Sequence, residues 1–399
     1  MNNKTAIALA VGALSAAPTL VLAQNVEIYG RLYPQLAISK SSGATTGEPP
    51  STLVTGTGGN HDRRWSIDTS NSRIGFRGRE MVGGGMSVIW QIETRVRFDT
   101  GAGNFWAGGR NSFLGMTGGF GTVKLGNMDT IYKEYGGIVG SFFGVSSGNF
   151  VSQSGVLSTH GLGVEDSGVD TGFHIRAPNS IQYESPEFGA FQFGIQYMPD
   201  EAKGNPTSGD INAYLLSMGV KYEQGPLYVS LAHERHNDWL DLSANADEVS
   251  GALAATSSKD QATRLSVGYR INPNHRVRAD IARMEWEDEG AGGAASLEKT
   301  GWAVGWEARW GGPWRTEIAY AANNDGSCDL PGIPCSTDGL AGNMLTLGAA
   351  YSLSKRTFIF GLFAKLKNEE SAAFSNTNTF DPDRGADTTS FAVGVSHSF

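Results

Sequence analysis

The sequence predicts an all-β chain that closes into a 16-stranded antiparallel transmembrane β-barrel. Three observations predict this fold class. Apolar and polar residues alternate along many segments, short turns alternate with long connections, and an apolar leader precedes a chain with no later helix-length apolar run. An alternation with period two gives a strand one apolar and one polar side.

The first segment after the leader has this alternation. One face carries Val26, Ile28, Leu32, Leu36 and Ile38, and the other carries Glu27, Tyr29, Arg31, Gln35 and Ser39. The pattern recurs around Trp90, Leu265 and Trp302. Many such segments are longer than the five or six residues usual in soluble sheets. They match the roughly ten residues that a tilted strand needs to cross a bilayer.

Sixteen segments have this pattern: 26–39, 63–78, 86–99, 110–117, 121–128, 174–185, 190–198, 212–223, 226–236, 262–272, 275–287, 299–310, 313–323, 343–353, 356–367 and 388–399. Seven short turns join them, at 81–85, 118–120, 185–189, 224–226, 272–274, 311–313 and 353–355. Eight long connections lie at 40–62, 100–109, 129–173, 199–211, 237–261, 288–298, 324–342 and 368–387. Sixteen antiparallel strands with both termini on one side require seven connections at one end and eight at the other, and outer-membrane barrels have short turns and long loops in this arrangement.

Residues 1–23 have the features of a secretory signal. Lys4 supplies a charged start, an apolar stretch follows, and Val21-Leu22-Ala23 offers small residues at a cleavage site before Gln24. An N-terminal membrane anchor is the alternative. The expected mature chain is therefore a single barrel domain, residues 24–399.

Composition limits the function classes. An acidic balance, with a formal net charge of −9, argues against nucleic acid as a partner. Cys328 and Cys335 flank a segment with turn chemistry, and a disulfide there fits an exported chain. Two thiols without a nearby His would make a poor metal site. No Ser or Asp stands in a recognisable nucleophile context, so we expect neither an enzyme nor a cofactor or metal.

A soluble β-sandwich or a solenoid is the main alternative to the barrel. A sandwich would not carry repeated aromatic residues near the ends of its apolar strand faces. Aromatic girdles at two membrane interfaces would do so, and the aromatic residues assigned to this face are Tyr29, Trp65, Trp90, Phe98, Tyr183, Tyr197, Tyr214, Tyr222, Trp302, Trp310, Trp314, Tyr320 and Tyr351. No repeat of 20–50 residues is present, which disfavours a solenoid. In hydrocarbon every backbone amide needs an internal partner, so the sheet must close.

The chain ends in an alternating strand from Phe391 to the aromatic Phe399. This C-terminal strand and three earlier motifs resemble the strand motifs of Gram-negative general-diffusion porins, most like the beta-proteobacterial type. The three motifs are Ile28-Tyr-Gly-Arg31, Ser72-Arg-Ile-Gly-Phe-Arg-Gly-Arg-Glu80 and Asn179-Ser-Ile-Gln-Tyr-Glu184. The resemblance spans the mature chain, with departures at Met81-Val82 and Asn127. It implies an outer-membrane homotrimer among lipid and lipopolysaccharide. It also implies that a third external loop folds inward and that the barrel-assembly machinery reads Phe399.

The alternation places five cations on the polar faces of early strands, namely Arg31, Arg73, Arg95, Arg97 and Lys124. Neighbouring strands would bring three of the arginines together on one wall, beside the lumen acid Glu93. We expect this basic wall to line the pore constriction. The alternative is an ordinary solvated face, which Glu93 and Glu27 neutralise.

The connection 129–173 is the longest, and its Phe142-Phe143 pair suits a segment packed inside a barrel. By the resemblance it is the inward-folded loop, and Asp129 and Glu134 would then face the arginine wall. A mobile external loop is the alternative. Opposed charges across a narrow aqueous gap would orient polar solutes.

These features predict a water-filled channel for passive diffusion of small hydrophilic solutes and ions, with a preference for anions. A substrate-selective channel with a binding site at the loop 129–173 constriction is the first alternative. A plugged barrel with a structural role is the second.

Overall fold

The computed structural model describes residues 26–69, 71–101, 109–139, 142–144, 149–163, 172–199, 212–240, 242, 246, 255–376 and 383–399. The predicted signal, residues 1–23, lies outside the described residues. No helix within these ranges is long and apolar enough to cross a membrane.

Sixteen barrel strands follow one another in chain order. They are β1 (Glu27–Leu32 and Gln35–Ser42), β2 (Arg64–Asp68 and Arg73–Gly83), β3 (Met86–Arg95), β4 (Ser112–Gly118), β5 (Gly121–Asp129), β6 (Arg176–Glu184), β7 (Phe191–Met198), β8 (Tyr214–Gln224), β9 (Leu227–Asn237), β10 (Ala255–Asn272), β11 (His275–Gly290), β12 (Gly293–Arg309), β13 (Trp314–Asn323), β14 (Gly342–Ser352), β15 (Thr357–Asn368) and β16 (Asp387–Ser398). A short strand, Ser327–Asp329, pairs with β12 beyond the end of β13. Each strand pairs antiparallel with its neighbours in sequence. The predicted number of strands is therefore confirmed.

The barrel closes between the first and last strands. Asp387 of β16 pairs with Ser42 of β1, and the register continues along both strands. At the other end, the Gly30 amide donates to the Phe399 carbonyl (3.2 Å), and the Phe399 amide donates to the Gly30 carbonyl (3.1 Å). Closure removes the open edge that an unpaired strand would present to lipid.

The two interruptions in β1 and β2 lie side by side. Pro34 has no amide hydrogen and cannot donate to a ladder, so β1 breaks at Tyr33 and Pro34. The Tyr33 amide donates instead to Ser72 Oγ (2.7 Å), in the gap of β2. The Pro34 carbonyl still accepts from Val395 in β16 (3.2 Å), so the seam stays bonded.

One predicted long loop, 288–298, is wrong. β11 and β12 continue to Gly290 and Gly293 and pair there across a two-residue turn, and β10 begins at Ala255 rather than at 262. Cross-strand ion pairs accompany these extensions, Arg283 with Glu298 (2.6 Å) and Lys259 with Glu287 (3.3 Å). The apolar alternation stops where the strands leave the hydrocarbon, but the backbone ladder does not.

Burial is inverted relative to a soluble protein. On β10, Leu265 and Val267 are 41% and 37% exposed, whereas the intervening Arg264 and Ser266 are fully buried. The apolar face thus points outward and the polar face points into the barrel. Tyr29 is a correction to the predicted girdle, because its hydroxyl donates to Glu93 (2.9 Å) on the polar side.

The buried apolar residues form clusters in which side chains of the segment between β5 and β6 pack with side chains of the strands. This segment contains α1 (Ile131–Tyr135), a 3-10 turn (Phe142–Gly144) and α2 (Ser154–Leu157). Phe142, Val151 and Leu157 are fully or almost fully buried there.

The outward face allows a test of barrel orientation at Leu347, which lies in the middle of β14 and is exposed. We expect Leu347→Arg to destabilise the barrel in phospholipid vesicles by about 2–4 kcal/mol, because a cation at the bilayer midplane loses its hydration. Reversible urea unfolding measures the change, with Leu347→Ile as the control. An arginine that costs nothing would place position 347 in water and contradict this orientation.

Candidate functional site

Three arginines lie in register across the first three strands. Arg31 of β1 is directly opposite Arg73 of β2, and Arg73 is directly opposite Arg95 of β3. Opposite residues on neighbouring strands have Cβ atoms about 5 Å apart. The alternation therefore brings the three guanidinium groups together on one stretch of the inner wall.

Each of these arginines has different partners. Arg31 donates from Nε to Ser396 Oγ (2.7 Å) and from Nη2 to the Phe143 carbonyl (3.0 Å). Its guanidinium also lies 5.3 Å from the centre of the Phe358 ring. Arg73 lies 3.6 Å from Glu93. Arg31 thus joins the wall to the segment between β5 and β6, and Arg73 is partly neutralised.

Glu93 collects donors from three directions. It accepts from Tyr29 Oη and pairs with Arg73 and with Arg110, a residue just before β4. Arg110 also donates to Asn71 Oδ1 (2.7 Å). One carboxylate therefore serves two arginines, which leaves positive charge on this part of the wall.

The remaining predicted cations, Lys124, Arg95 and Arg97, differ in whether a carboxylate lies close to them. Lys124 on β5 bonds Glu184 (2.8 Å) and Gln182 (2.8 Å), so a carboxylate balances its charge. Among the described residues, no carboxylate lies within 4 Å of the Arg95 or Arg97 guanidinium. These two arginines are the uncompensated members of the predicted set.

Asp129 ends β5 and has its own cations close by. Its carboxylate pairs with Lys133 one helical turn later (2.9 Å) and with Arg176 at the start of β6 (2.9 Å). Asn111 also donates to it (3.0 Å). Its charge is thus compensated where it sits. Glu134 follows Lys133 on α1, and its side chain is exposed.

The first part of the segment between β5 and β6 packs against glycine residues of the neighbouring strands. Thr130 caps α1 by accepting from the Lys133 amide (3.3 Å). Ile131 and Tyr135 fill the space above Gly194 and Gly219, where an added Cβ would meet their side chains. The α1 end is held by Tyr228 and Ser230 of β9, whose hydroxyls donate to the Tyr135 carbonyl (2.5 and 2.6 Å).

A charged brace holds the middle of the segment. Arg278 of β11 donates to the Ile138 carbonyl (2.7 Å) and pairs with Glu317 of β13. Glu317 accepts from the Phe143 amide (3.2 Å). Asp280 of β11 accepts from the Val139 amide (2.9 Å). Buried charged side chains thus hydrogen-bond the backbone of Ile138, Val139 and Phe143, and so satisfy polar groups that would be costly to bury without a partner.

The returning part of the segment is bonded to other strands. Asn323 of β13 donates to the Val156 carbonyl (2.8 Å), and Lys299 of β12 donates to the His160 carbonyl (2.8 Å). Arg264 of β10 donates to Ser158 Oγ (2.6 Å) and covers the Tyr132 ring at 4.2 Å. Arg264 therefore touches both the outgoing and the returning legs.

A cavity of about 290 Å³ lies between these two legs and the wall. Its basic lining consists of Arg110, Lys133 and Arg176. Burial lowers the pKa of Lys133, and Asp129 opposes that effect. Burial, followed by the nearby Lys133, holds the pKa of His174 well below its ordinary value, so this imidazole is neutral at pH 7. The positive charge in the cavity therefore comes from the arginines and the lysine, and the carboxylates of Asp129 and Glu134 also line it.

Sequence reasoning missed several residues of this site. Arg176 shares the parity of Gln182 in number, but the register of β6 against β5 is irregular between Ala177 and Ser180, so the alternation contained no signal for Arg176. Arg110 precedes its strand, and strand parity carries no information there. Arg278 and Glu317 lie on polar faces, but their contact with the segment depends on where the segment runs.

Outside this site, Cys328 and Cys335 form a disulfide with Cα atoms 5.7 Å apart. The bridge closes the turn after the short strand and packs against a buried cluster that includes Leu53 and Leu340. Its role is to fix the external connection between β13 and β14.

Comparison with known proteins decides the family. The family model described as Gram-negative porin matches residues 6–371, which is most of the chain. The chain belongs to the Gram-negative porin family. The porin is 27% identical to the major outer membrane protein P.IB of Neisseria meningitidis over 357 residues, covering 89% of this chain and 90% of the relative. It is 26% identical to outer membrane porin protein 32 of Delftia acidovorans, covering 85% and 88% of the two chains.

Solved structures agree on the fold. The anion-selective porin from Comamonas acidovorans superposes on the porin with a TM-score of 0.69 at 23% identity, covering 94% of this chain and all of the other. The trimer form of OmpT from Vibrio cholerae gives a TM-score of 0.60 at 14% identity, with 94% and 100% covered. Because the chain belongs to the Gram-negative porin family and is similar to outer-membrane porins, it is an outer-membrane protein whose barrel forms a water-filled channel for small hydrophilic solutes and ions. Its family consists of passive channels.

The charged brace yields a prediction about the segment between β5 and β6. We expect Glu317→Gln to lower the free energy of unfolding by about 2–3 kcal/mol, because it weakens a charged hydrogen bond and leaves Arg278 poorly compensated in a buried site. We also expect larger motion of the backbone at Ile138 and Phe143, and this motion should increase the noise of the open-channel current.

Thermal unfolding and single-channel recording measure the two effects. Glu223→Gln, at an exposed position at the end of β8, is the matched control. Unchanged noise together with unchanged stability would show that the brace does not hold the segment.

Proposed function

We propose that the porin is a general-diffusion channel that prefers anions. The observation that carries this proposal is the arginine row Arg31, Arg73 and Arg95. Arg95, at the end of the row, and the nearby Arg97 have no carboxylate partner among the described residues. Fixed charge at the narrowest part of a channel sets its selectivity. The total charge of −9 includes external positions that lie beyond a Debye length of about 8 Å from a solute in the pore.

The segment 129–173 is the proposed constriction. Its described residues bond or pack against β1, β8, β9, β11, β13 and β14, which supports a path across the barrel interior. Asp129 and Glu134 would give it an acidic character opposite the wall. Since Lys133 and Arg176 balance Asp129, and Lys124 balances Glu184, Glu134 is the acid that we expect a passing cation to meet.

The comparison structure whose title gives it as anion-selective adds support for the sign of the preference. The wall offers planar guanidinium groups, which bind oxyanions at two points, and a chloride ion needs only the positive potential. Lys124 contributes less, because Glu184 balances it.

A reversal potential under a salt gradient across a planar bilayer tests the preference. We expect the wild-type porin to pass chloride several-fold better than potassium, and Arg95→Gln to reduce that ratio by at least about twofold, because it removes uncompensated charge in a confined aqueous pore. Lys40→Gln, which removes an exposed cation at the outer end of β1, should leave the ratio unchanged.

A clear potassium preference in the wild type would overturn the proposed sign. Equal effects of Arg95→Gln and Lys40→Gln would instead move the selectivity away from the arginine row.

The second candidate is a substrate-selective channel with a binding site at the loop 129–173 constriction. The cavity of about 290 Å³ beside Lys133 and Arg176 favours it, because a discrete pocket can hold one solute. Saturable block of the ion current by one solute, and not by others of the same size and charge, would place this candidate first.

We further propose how the porin reaches and occupies the membrane. Residues 1–23 are the export signal, and residues 24–399 form the barrel. The barrel-assembly machinery reads Phe399, whose backbone bonds close the barrel at Gly30. The chain assembles as a homotrimer in outer-membrane lipid and lipopolysaccharide, by analogy with the trimer form of OmpT. It catalyses no reaction. A mass of three barrels by light scattering in detergent tests the trimer.

A further inference from the structure

A second group of arginines lies at the periplasmic mouth, far along the chain from the first. Arg270 near the end of β10 is directly opposite Arg276 near the start of β11. Arg309 ends β12, and its amide donates to the Asn274 carbonyl (2.8 Å) in the turn that joins β10 and β11. The three arginines therefore surround one short periplasmic turn.

These side chains face the lumen. Arg270 and Arg276 alternate with Tyr269 and Val277, which are exposed on the apolar outer face. Arg309 alternates in the same way with the exposed Trp310. A cleft of about 160 Å³ opens between them. The turn residues 272–275, which include Asn272 and Asn274, and the carboxylate-bearing Glu307 also line it. Because the cleft opens to the lumen, its ligands are solutes in the channel and not lipid headgroups.

The charge of the cleft is only partly balanced. Glu307 pairs with Arg276 (2.7 Å). Among the described residues, no carboxylate lies within 4 Å of the Arg270 or Arg309 guanidinium, and both side chains are exposed. Each guanidinium keeps its parallel N–H donors free for water or for a ligand. Two such groups and two amides in one concave site match the oxygens of a phosphate.

The cleft is connected to the constriction through Arg315. Arg309 is directly opposite Arg315 on β13. The Arg315 guanidinium lies 4.2 Å from the centre of the Phe358 ring, and the Arg31 guanidinium lies 5.3 Å from the same centre. Guanidinium groups thus follow one another from the constriction at β1 to the turn between β10 and β11.

We propose that the cleft formed by Arg270, Arg276 and Arg309 is a binding site for phosphate and small phosphate esters at the periplasmic mouth. It receives the anion after the constriction and holds it before release into the periplasm. This inference rests on the proposed anion preference, since only a channel that admits anions delivers them to the cleft. It adds a second, phosphate-selective step to that function.

The test uses the full-length porin reconstituted in a planar bilayer in dilute potassium chloride. Inorganic phosphate is titrated from the periplasmic side, and the concentration that halves the chloride current is measured. We expect Arg270→Gln with Arg309→Gln to raise this concentration at least about tenfold, because two charge-assisted contacts are lost. The chloride conductance without phosphate should change by less than about twofold, since the arginine row at the constriction is intact.

Two comparison variants separate the possibilities. Lys355→Gln with Arg356→Gln removes two exposed cations from another periplasmic turn, between β14 and β15, and should leave the half-blocking concentration unchanged. Arg95→Gln alters the constriction and should change the reversal potential but not the phosphate block.

The inference is wrong if the cleft variant keeps the wild-type half-blocking concentration. It is also wrong if the turn control raises that concentration as much, because the effect would then be one of general charge. A wild-type porin without anion preference whose phosphate block still depends on Arg270 and Arg309 would sink the proposed function and leave the cleft standing.

Discussion

The need to pair every backbone amide inside hydrocarbon is the constraint on which the rest of this porin depends. An unpaired N–H or C=O facing lipid costs several kcal/mol, so a sheet in a membrane has no tolerable edge. The bonds between Gly30 and Phe399, and the register from Asp387 opposite Ser42, remove the last edge. Sixteen strands then enclose a space too wide for strand side chains to fill. Closure thus creates both the membrane protein and its aqueous interior.

The interior sets a second problem, because the segment between β5 and β6 needs partners for a backbone with little regular structure. Small wall residues such as Gly194 and Gly219 leave room for its side chains. Charged wall residues such as Arg278, Asp280 and Glu317 bond its amides and carbonyls. Charge inside this porin therefore has two uses. One part bonds the backbone of the segment, and we propose that the other part acts on solutes.

Some of the predicted pore charges bond the segment or an opposite charge, and others do not. Arg31 belongs to both groups, since it bonds the Phe143 carbonyl and lies in the arginine row. Lys124 and Asp129 are balanced by Glu184 and by Lys133 with Arg176. Among the described residues, the guanidinium groups without a carboxylate partner include Arg95 and Arg97 at one level and Arg270 and Arg309 at the other, and we propose that a passing anion meets these. The net charge of −9 does not reveal this arrangement, because a chain that is acidic overall can still place arginines together on its inner wall.

Period-two alternation was enough to predict the fold class, the strand count and the arginine row, because a period of two fixes which face each residue occupies and neighbouring strands carry that information across the sheet. The aromatic girdle wrongly included Tyr29, which the alternation along β1 places on the polar face. The predicted β11 ended too early and the predicted β12 began too late, because alternation of hydrophobicity reports the membrane and not the hydrogen-bond ladder. Two contacts could not be predicted from the pattern: Arg110 pairs with Glu93, and Glu317 accepts a hydrogen bond from the Phe143 amide. Those contacts join residues from distant parts of the chain, and their geometry depends on closure and on the path of one irregular segment. Local pattern therefore specifies the wall, and long-range packing specifies which of its charges remain free.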